Sequence, residues 1–163
     1  MAGTAQYEEL VRQFSAFGAV KREMNRIMPA DCPSGSASVL TLLGRYGDLR
    51  MSRVAELLSV DLSVTSRHVA HLAERGWIER SPDPADKRSR ILRLTPAGRI
   101  RLDELFRRTT RLLAERLGDW SDEEVGHLAQ LMARLRDSFG ECRTVPRPAP
   151  PPPEQTTRTP AST

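Results

Sequence analysis

The sequence predicts a mainly α-helical protein with one small β-hairpin. Three observations lead to that reading. Apolar residues recur at three- and four-residue intervals over most of the chain before Thr144, the period of helices buried on one face. Aromatic residues make up 5% of the chain against a hydrophobic content of 39%, so a core would draw on Leu, Val, Ala and Met, which helices accommodate well. The helical period breaks once, between Trp77 and Leu94, where two short apolar runs flank a charged loop.

Tyr7, Leu10, Val11, Phe14, Phe17, Val20, Met24, Ile27 and Met28 mark one long amphipathic helix, ended by Pro29 and Pro33-Ser-Gly-Ser. A second helix spans Ser36 to Tyr46, with Val39, Leu40, Leu43 and Tyr46 on one face, and Gly47-Asp48 turns the chain. Ser52 can cap a short helix carrying Val54, Leu57 and Leu58. After a turn at Ser59-Val60, Asp61 or Ser63 caps a helix that stops at Arg75-Gly76, where glycine suits a left-handed terminus. Two short helices joined by a tight turn form a helix-turn-helix.

Trp77 to Arg80 and Ile91 to Leu94 read as strands around the loop Asp83 to Arg90, longer than a two-residue hairpin connection. Thr95 caps the next helix with Pro96 at its first position, where proline costs least. Ile100, Leu105, Phe106, Thr109, Leu112 and Leu113 carry its stripe. Ser121-Asp-Glu-Glu124 has the form of a capping box for a last helix, with Val125, Leu128, Leu131, Met132, Leu135 and Phe139 on its apolar face. From Thr144 the composition turns to Pro and Thr and cannot bury a core, so 144–163 is expected to be disordered.

The length of 163 residues suits one domain with its own core. The formal charge of +4 is compatible with nucleic acid without requiring it. Two cysteines are too few for a disulfide framework, and neither a signal peptide nor a membrane span is legible, so a reducing, cytoplasmic setting is expected. No nucleophile–base pair, paired acid or phosphate-binding glycine loop points to an enzyme, and no cofactor is implied. The acids Asp122 to Glu124 are explained by the helix N-terminus they open. His68 and His71 lie three apart, but His127 is remote and the cysteines are widely spaced, so no metal site is expected.

On the helix from Leu62 to Arg75, residues Leu62, Thr65, Val69, Leu72 and Ala73 share the side that would face a core. Ser63, Val64, Ser66, Arg67, His68 and His71 are left on the other side. A major groove admits such a helix: serine hydroxyls meet base edges, Val64 a thymine methyl, Arg67 a guanine or a phosphate. Lys87, Arg88 and Arg90 cluster in the hairpin loop, with Arg93, Arg99 and Arg101 close behind. Asp86 is placed to hold Arg88 by a charge-assisted hydrogen bond, and a fixed arginine suits a narrow minor groove.

Val60-Asp-Leu-Ser-Val-Thr-Ser-Arg-His-Val-Ala-His-Leu, Glu74-Arg-Gly-Trp-Ile-Glu-Arg, Asp83-Pro-Ala-Asp-Lys-Arg and Leu92-Arg-Leu-Thr-Pro-Ala-Gly together resemble the MarR (multiple antibiotic resistance regulator) family over about Tyr7 to Cys142. The resemblance implies a winged helix-turn-helix regulator, expected to be a repressor. Residues 36–95 would be the DNA-binding domain, and 1–35 with 96–143 the helical region through which two copies form a homodimer. Apolar stripes on three helices outside the winged domain exceed what one subunit easily buries. A twofold dimer predicts a palindromic duplex site with half-sites about 34–36 Å apart.

The resemblance also implies release by a small phenolic or otherwise aromatic effector, with Phe17, Met24, Leu43, Tyr46 and Phe106 as candidate ligand-binding residues. Two alternatives stand beside it. One is a thiol switch through Cys32 and Cys142, although the reactive cysteine that the peroxide-sensing branch carries near the start of its first helix is absent here. The other is a winged-helix protein-interaction module that does not bind DNA.

Overall fold

The computed structural model describes residues 3–139. Cys142 and the Pro/Thr-rich segment 144–163 lie outside the described residues. Of the described residues, 3–118 form one compact unit and 119–139 belong to a second. The elements are α1 (Thr4–Ala16), α2 (Gly18–Arg26), α3 (Ser34–Tyr46), β1 (Leu49–Arg50), α4 (Met51–Leu58), α5 (Leu62–Glu74), β2 (Ile78–Asp83), β3 (Asp86–Leu94), α6 (Pro96–Arg116) and α7 (Asp122–Ser138). No helix among the described residues is long and apolar enough to cross a membrane.

Helix α3 is the centre of the first unit. It packs against α4, α5, α6 and β3 and buries Val39, Leu40 and Leu43. Val54, Val69, Leu72, Ile78, Leu92 and Leu105 close around these. Each such side chain contributes about 2 kcal/mol when taken from water, so this cluster outweighs any single surface contact.

The expected single long first helix is two helices. Phe17 ends α1, its N–H shared between the carbonyls of Gln13 and Phe14, and its own carbonyl accepts from the Lys21 N–H to open α2. Gly18 follows at once, a residue that weakens a helix by about 1 kcal/mol relative to alanine. Ser52 lies inside α4 rather than at its cap, which is Arg50. Leu62 was expected inward but is 53% exposed, because it opens α5 before the core begins.

The two helices of the helix-turn-helix end alike. Ser59 (φ 53°) and Gly76 (φ 69°) are left-handed. The Val60 N–H reaches the Ala55 carbonyl and the Ser59 N–H that of Glu56, just as the Trp77 N–H reaches Leu72 and the Gly76 N–H reaches Ala73. These paired bonds satisfy carbonyls the helix leaves free and turn the chain sharply.

The sheet has the order β1-β3-β2 and is antiparallel. Strand β1, only two residues long, was not expected; it pairs Leu49 with Leu92 and Arg50 with Ile91. The hairpin also differs from expectation. β2 and β3 pair in register from Ile78↔Leu94 to Pro82↔Arg90; the register then shifts, 87–89 bulge without a partner on β2, and Asp83↔Asp86 closes on the two-residue connection Pro84-Ala85, where a loop from 83 to 90 is expected. Of the charged residues, Arg90 is paired with Pro82, while Lys87 and Arg88 stand on the exposed bulge. Pro82 is tolerated because β2 is an edge strand.

Thr95 caps α6 as expected: its Oγ1 accepts from the Gly98 N–H and donates to the Gly76 carbonyl. Gly98 is pressed against the backbone of Trp77, and a Cβ there would overlap the Trp77 carbonyl. In the second unit, Ser121 and Glu124 form the expected capping box, which holds the Glu124 carboxyl below its usual range. The stripe of Val125, Leu128, Leu131, Met132 and Phe139 on α7 is exposed.

Gly98→Ala is expected to lower stability by about 1–3 kcal/mol by forcing α6 off Trp77. Urea denaturation checks it; an unchanged midpoint would show that the close approach is not tight.

Candidate nucleic-acid interface

Helix α5 keeps Thr65, Val69 and Leu72 against the core. The Asp61 carbonyl accepts from the N–H groups of Val64 and Thr65 and from Thr65 Oγ1, which seats the first turn. Ser63, Ser66 and Arg67 are exposed, while Val64, His68 and His71 are half-buried.

The two histidines were expected on the free face, and the structure turns them toward α3. The His68 ring lies over Gly35, where a side chain larger than hydrogen would collide with it. His71 Nδ1 lies 3.1 Å from Ser36 Oγ, and Arg75 Nε donates to His71 Nε2 at 2.9 Å. The guanidinium can only donate, so Nε2 accepts and the proton of the neutral ring sits on Nδ1, facing the serine. His71 therefore ties α5 to α3, and its ring nitrogens are occupied within the protein.

The wing is shaped by two carboxylates. Asp83 is 4% exposed; its Oδ1 accepts from the Ala85 N–H at 2.9 Å and its Oδ2 lies 2.5 Å from Arg50 Nε. Asp86 does not grip the Arg88 guanidinium as expected. Its Oδ1 accepts from the Arg88 backbone N–H at 3.0 Å and its Oδ2 from Ser89 Oγ at 2.7 Å. It fixes the backbone from which Arg88 projects. The Ser89 hydroxyl, and after it the Arg88 N–H, hold the Asp86 carboxyl below its usual range.

The arginines divide into two sets. Arg93 donates twice to Asp48, at 2.9 and 2.6 Å. Arg101, 12% exposed, pairs with Asp31 and Glu104 and lies 4.9 Å from the Trp77 ring. Both lie close behind the tip in sequence, and the fold neutralises both. Arg67, Lys87, Arg88 and Arg90 have no ion-pair partner among the described residues.

Of the candidate ligand residues, Met24 and Phe106 line one open cavity of about 480 Å³ with Met28, Ala37, Leu102 and Leu105. Phe17, Leu43 and Tyr46 are not in its wall: Leu43 is core, Phe17 is exposed, and Tyr46 lies beneath the Arg45 guanidinium. Cys32 is fully buried and free, and burial pushes its thiol up. Sequence reasoning missed Arg50 and Asp83. Asp83 could be seen only as the residue opening a turn before proline, and nothing local marked Arg50.

A polar helix face in a helix-turn-helix, next in the chain to a cationic two-stranded ribbon, defines a winged helix-turn-helix protein. Residues 34–89 match the family model described as "MarR family". The multiple antibiotic resistance protein MarR of Salmonella typhimurium is 30% identical over 112 residues, 68% of this chain and 78% of that protein. An uncharacterized HTH-type transcriptional regulator, YdgJ of Bacillus subtilis, is 30% identical over 101 residues; the match spans 62% of either chain. The HTH-type transcriptional repressor MdtR of the same organism is 29% identical over 97 residues, 60% of this chain and 63% of that one.

Two solved structures share the fold. A mutant of Escherichia coli MarR complexed with operator DNA superimposes with a TM-score of 0.60 at 24% identity, covering 79% of this chain and 96% of that one. The PcaV regulator of Streptomyces coelicolor, in complex with its natural ligand, gives 0.58 at 25% identity, covering 85% and 98%. The chain belongs to the MarR family of transcriptional regulators.

Asp86 should titrate below an ordinary carboxyl, and Ser89→Ala should bring it back up. A depressed folded pKa favours the fold above the unfolded value, and that contribution is lost as pH falls through the folded one. NMR titration of the carboxyl carbon decides it; an ordinary value indifferent to Ser89→Ala would refute the bond.

Proposed function

We propose that this chain acts as a homodimer on double-stranded DNA, as a repressor at a palindromic operator. In this reading α5 enters the major groove with Ser63, Val64, Ser66 and Arg67, and the wing lays Lys87, Arg88 and Arg90 along the adjacent minor groove. The observation that carries it is the division of charge. Arg93 and Arg101 are neutralised internally, while the cations of the α5 face and the wing tip keep no counter-charge among the described residues. An anionic backbone is the partner such groups suit, and arginine suits a narrow groove best. The repressor sign draws on the likeness to MdtR.

The dimer reading draws on exposed apolar side chains. Tyr7, Leu10, Val11, Phe14 and Phe17 stand outward on and after α1, as does the stripe of α7. Helices of this kind are buried when a second copy supplies the other face. Regions 1–35 and 96–143 are the proposed dimerisation elements.

The effector reading draws on the cavity that joins Met24 and Phe106, whose apolar wall suits an aromatic ring. PcaV holds a natural ligand, which is consistent with a small-molecule site on this scaffold. The thiol alternative is weaker at Cys32, since burial disfavours the thiolate that would react.

Arg88→Ala should weaken binding to a duplex selected from a random pool by about tenfold and lower the salt slope by about one, with the dimer intact. Asp86→Ala should weaken binding without changing that slope. Failure of the parent protein to enrich any duplex would favour the protein-interaction module instead. Phe14→Glu should shift the sedimenting species from dimer to monomer; an unchanged species would sink the α1 interface.

A further inference from the structure

We propose that Arg50 is a positioning residue for the wing. Its ion pair with the buried Asp83 sets where the cationic tip lies relative to the helix-turn-helix, and thereby how tightly the protein holds a duplex. The inference rests on the DNA-binding reading above and deepens it.

Asp83 is the charged side chain buried in the described core, at 4% exposure. A buried carboxylate is costly unless its charge and its lone pairs are met. One oxygen is met by the Ala85 N–H, which bends the two-residue turn. The other accepts no hydrogen bond and faces Arg50 Nε at 2.5 Å as an ion pair, so the Arg50 charge is what offsets its burial. Arg50 is itself anchored on both sides. It pairs with Ile91 in the β1–β3 ladder, and it is the residue from which α4, the first helix of the helix-turn-helix, begins.

The topology makes this ion pair consequential. Strand β1 ends at Arg50, so β3 beyond Ile91 has β2 as its sheet neighbour and nothing more. From Pro82↔Arg90 outward the wing has two strands whose register shifts, with 87–89 unpaired, an arrangement that is marginal by itself. Lys87, Arg88 and Arg90 all stand on it. The Arg50–Asp83 pair therefore links the start of α4 to the base of the tip just where the sheet stops supporting it. Partial burial shields this pair from salt better than an exposed one.

A half-exposed arginine near the tip has another possible role, as a phosphate contact in its own right. The two roles separate experimentally. Arg50→Gln, Asp83→Asn and the double variant are measured in full-length protein against the duplex enriched by the parent from a random pool, over a range of salt concentrations. A positioning role predicts that each single change weakens binding about tenfold, that the double is no worse than either, and that the salt slope stays put. Arg50→Lys, which keeps the charge, should recover most of the affinity. A slope lowered by about one in Arg50→Gln, with losses that add in the double variant, would make Arg50 a phosphate contact and overturn the proposal.

A second readout needs no DNA. Amide hydrogen exchange at residues 85–90 should quicken in Arg50→Gln while that of α5 does not change. Unchanged exchange at the tip would refute positioning whatever the duplex data show. If the parent enriches no duplex, the functional reading fails, and exchange alone decides whether the pair holds the wing. If Asp83→Asn does not fold, the slope and exchange of Arg50→Gln remain decisive.

Discussion

The structure turns on Trp77, where α5, the wing and α6 meet. Its N–H closes the end of α5 on the Leu72 carbonyl, and its own carbonyl accepts from the Thr95 N–H. Gly98 packs on that carbonyl without room for a side chain. The indole ring has guanidinium groups on it from Arg75 and Arg101, at 5.5 and 4.9 Å. Each cation–π contact is worth about 0.5–2 kcal/mol, depending on how dry it is. The gain is modest, but the geometry is demanding: moving α6 strips Trp77 of contacts on several sides together. Because α5 and β2 both grow from this residue, their directions are set by one junction.

That junction also explains the uneven charge distribution. Arg75 and Arg101 are cations spent on packing, with Asp31 and Glu104 taking up the charge of Arg101. Arg93 is held by Asp48 beside β1. An exposed pair such as Arg93–Asp48 adds little to stability. The larger effect of these pairs is to take up positive charge where α6 and the sheet meet the core, while Arg67 and the wing tip keep theirs. The net charge of +4 alone does not reveal this. Placement matters more than the total, because a ribbon carrying three unneutralised cations presents a local potential that a uniformly basic surface would not.

Much of this was legible in the sequence, and what was not has physical reasons. The helix-turn-helix, Gly76 as a left-handed stop, Thr95 with Pro96 at the start of α6 and the Ser121 capping box all depend on local chemistry, which residue identity displays. Errors arose where a residue's role depends on a distant partner. His71 looks like a groove-facing side chain until α3 supplies Ser36. Arg101 looks like part of a basic patch until the loop before α3 supplies Asp31. β1 is two residues long and has no period to detect. The hairpin looks like a long loop in sequence because its tip, 87–89, is an unpaired bulge and its pairs there carry no apolar alternation. The Arg50–Asp83 pair combines both difficulties, a residue in an unrecognised strand meeting one in a presumed loop.

The same junction constrains any release mechanism. A ligand shifts an equilibrium only by the difference in its affinity for the two states, and useful coupling takes about 1–3 kcal/mol. The cavity that joins Met24 and Phe106 has Leu102 and Leu105 in its wall, and these lie on α6 within two turns of Gly98 and Arg101. Leu102 also fills the space left by Gly44 on α3, so α6 cannot rotate there without displacing it. A ring that wedges α3 from α6 would therefore work against Gly98 on Trp77, an overlap a close-packed backbone meets by shifting as a unit. Since α5 and the wing both start at Trp77, such a shift would reach both elements of the proposed DNA interface together. A ligand in that cavity has no need to touch the residues proposed to face DNA to change how they are presented.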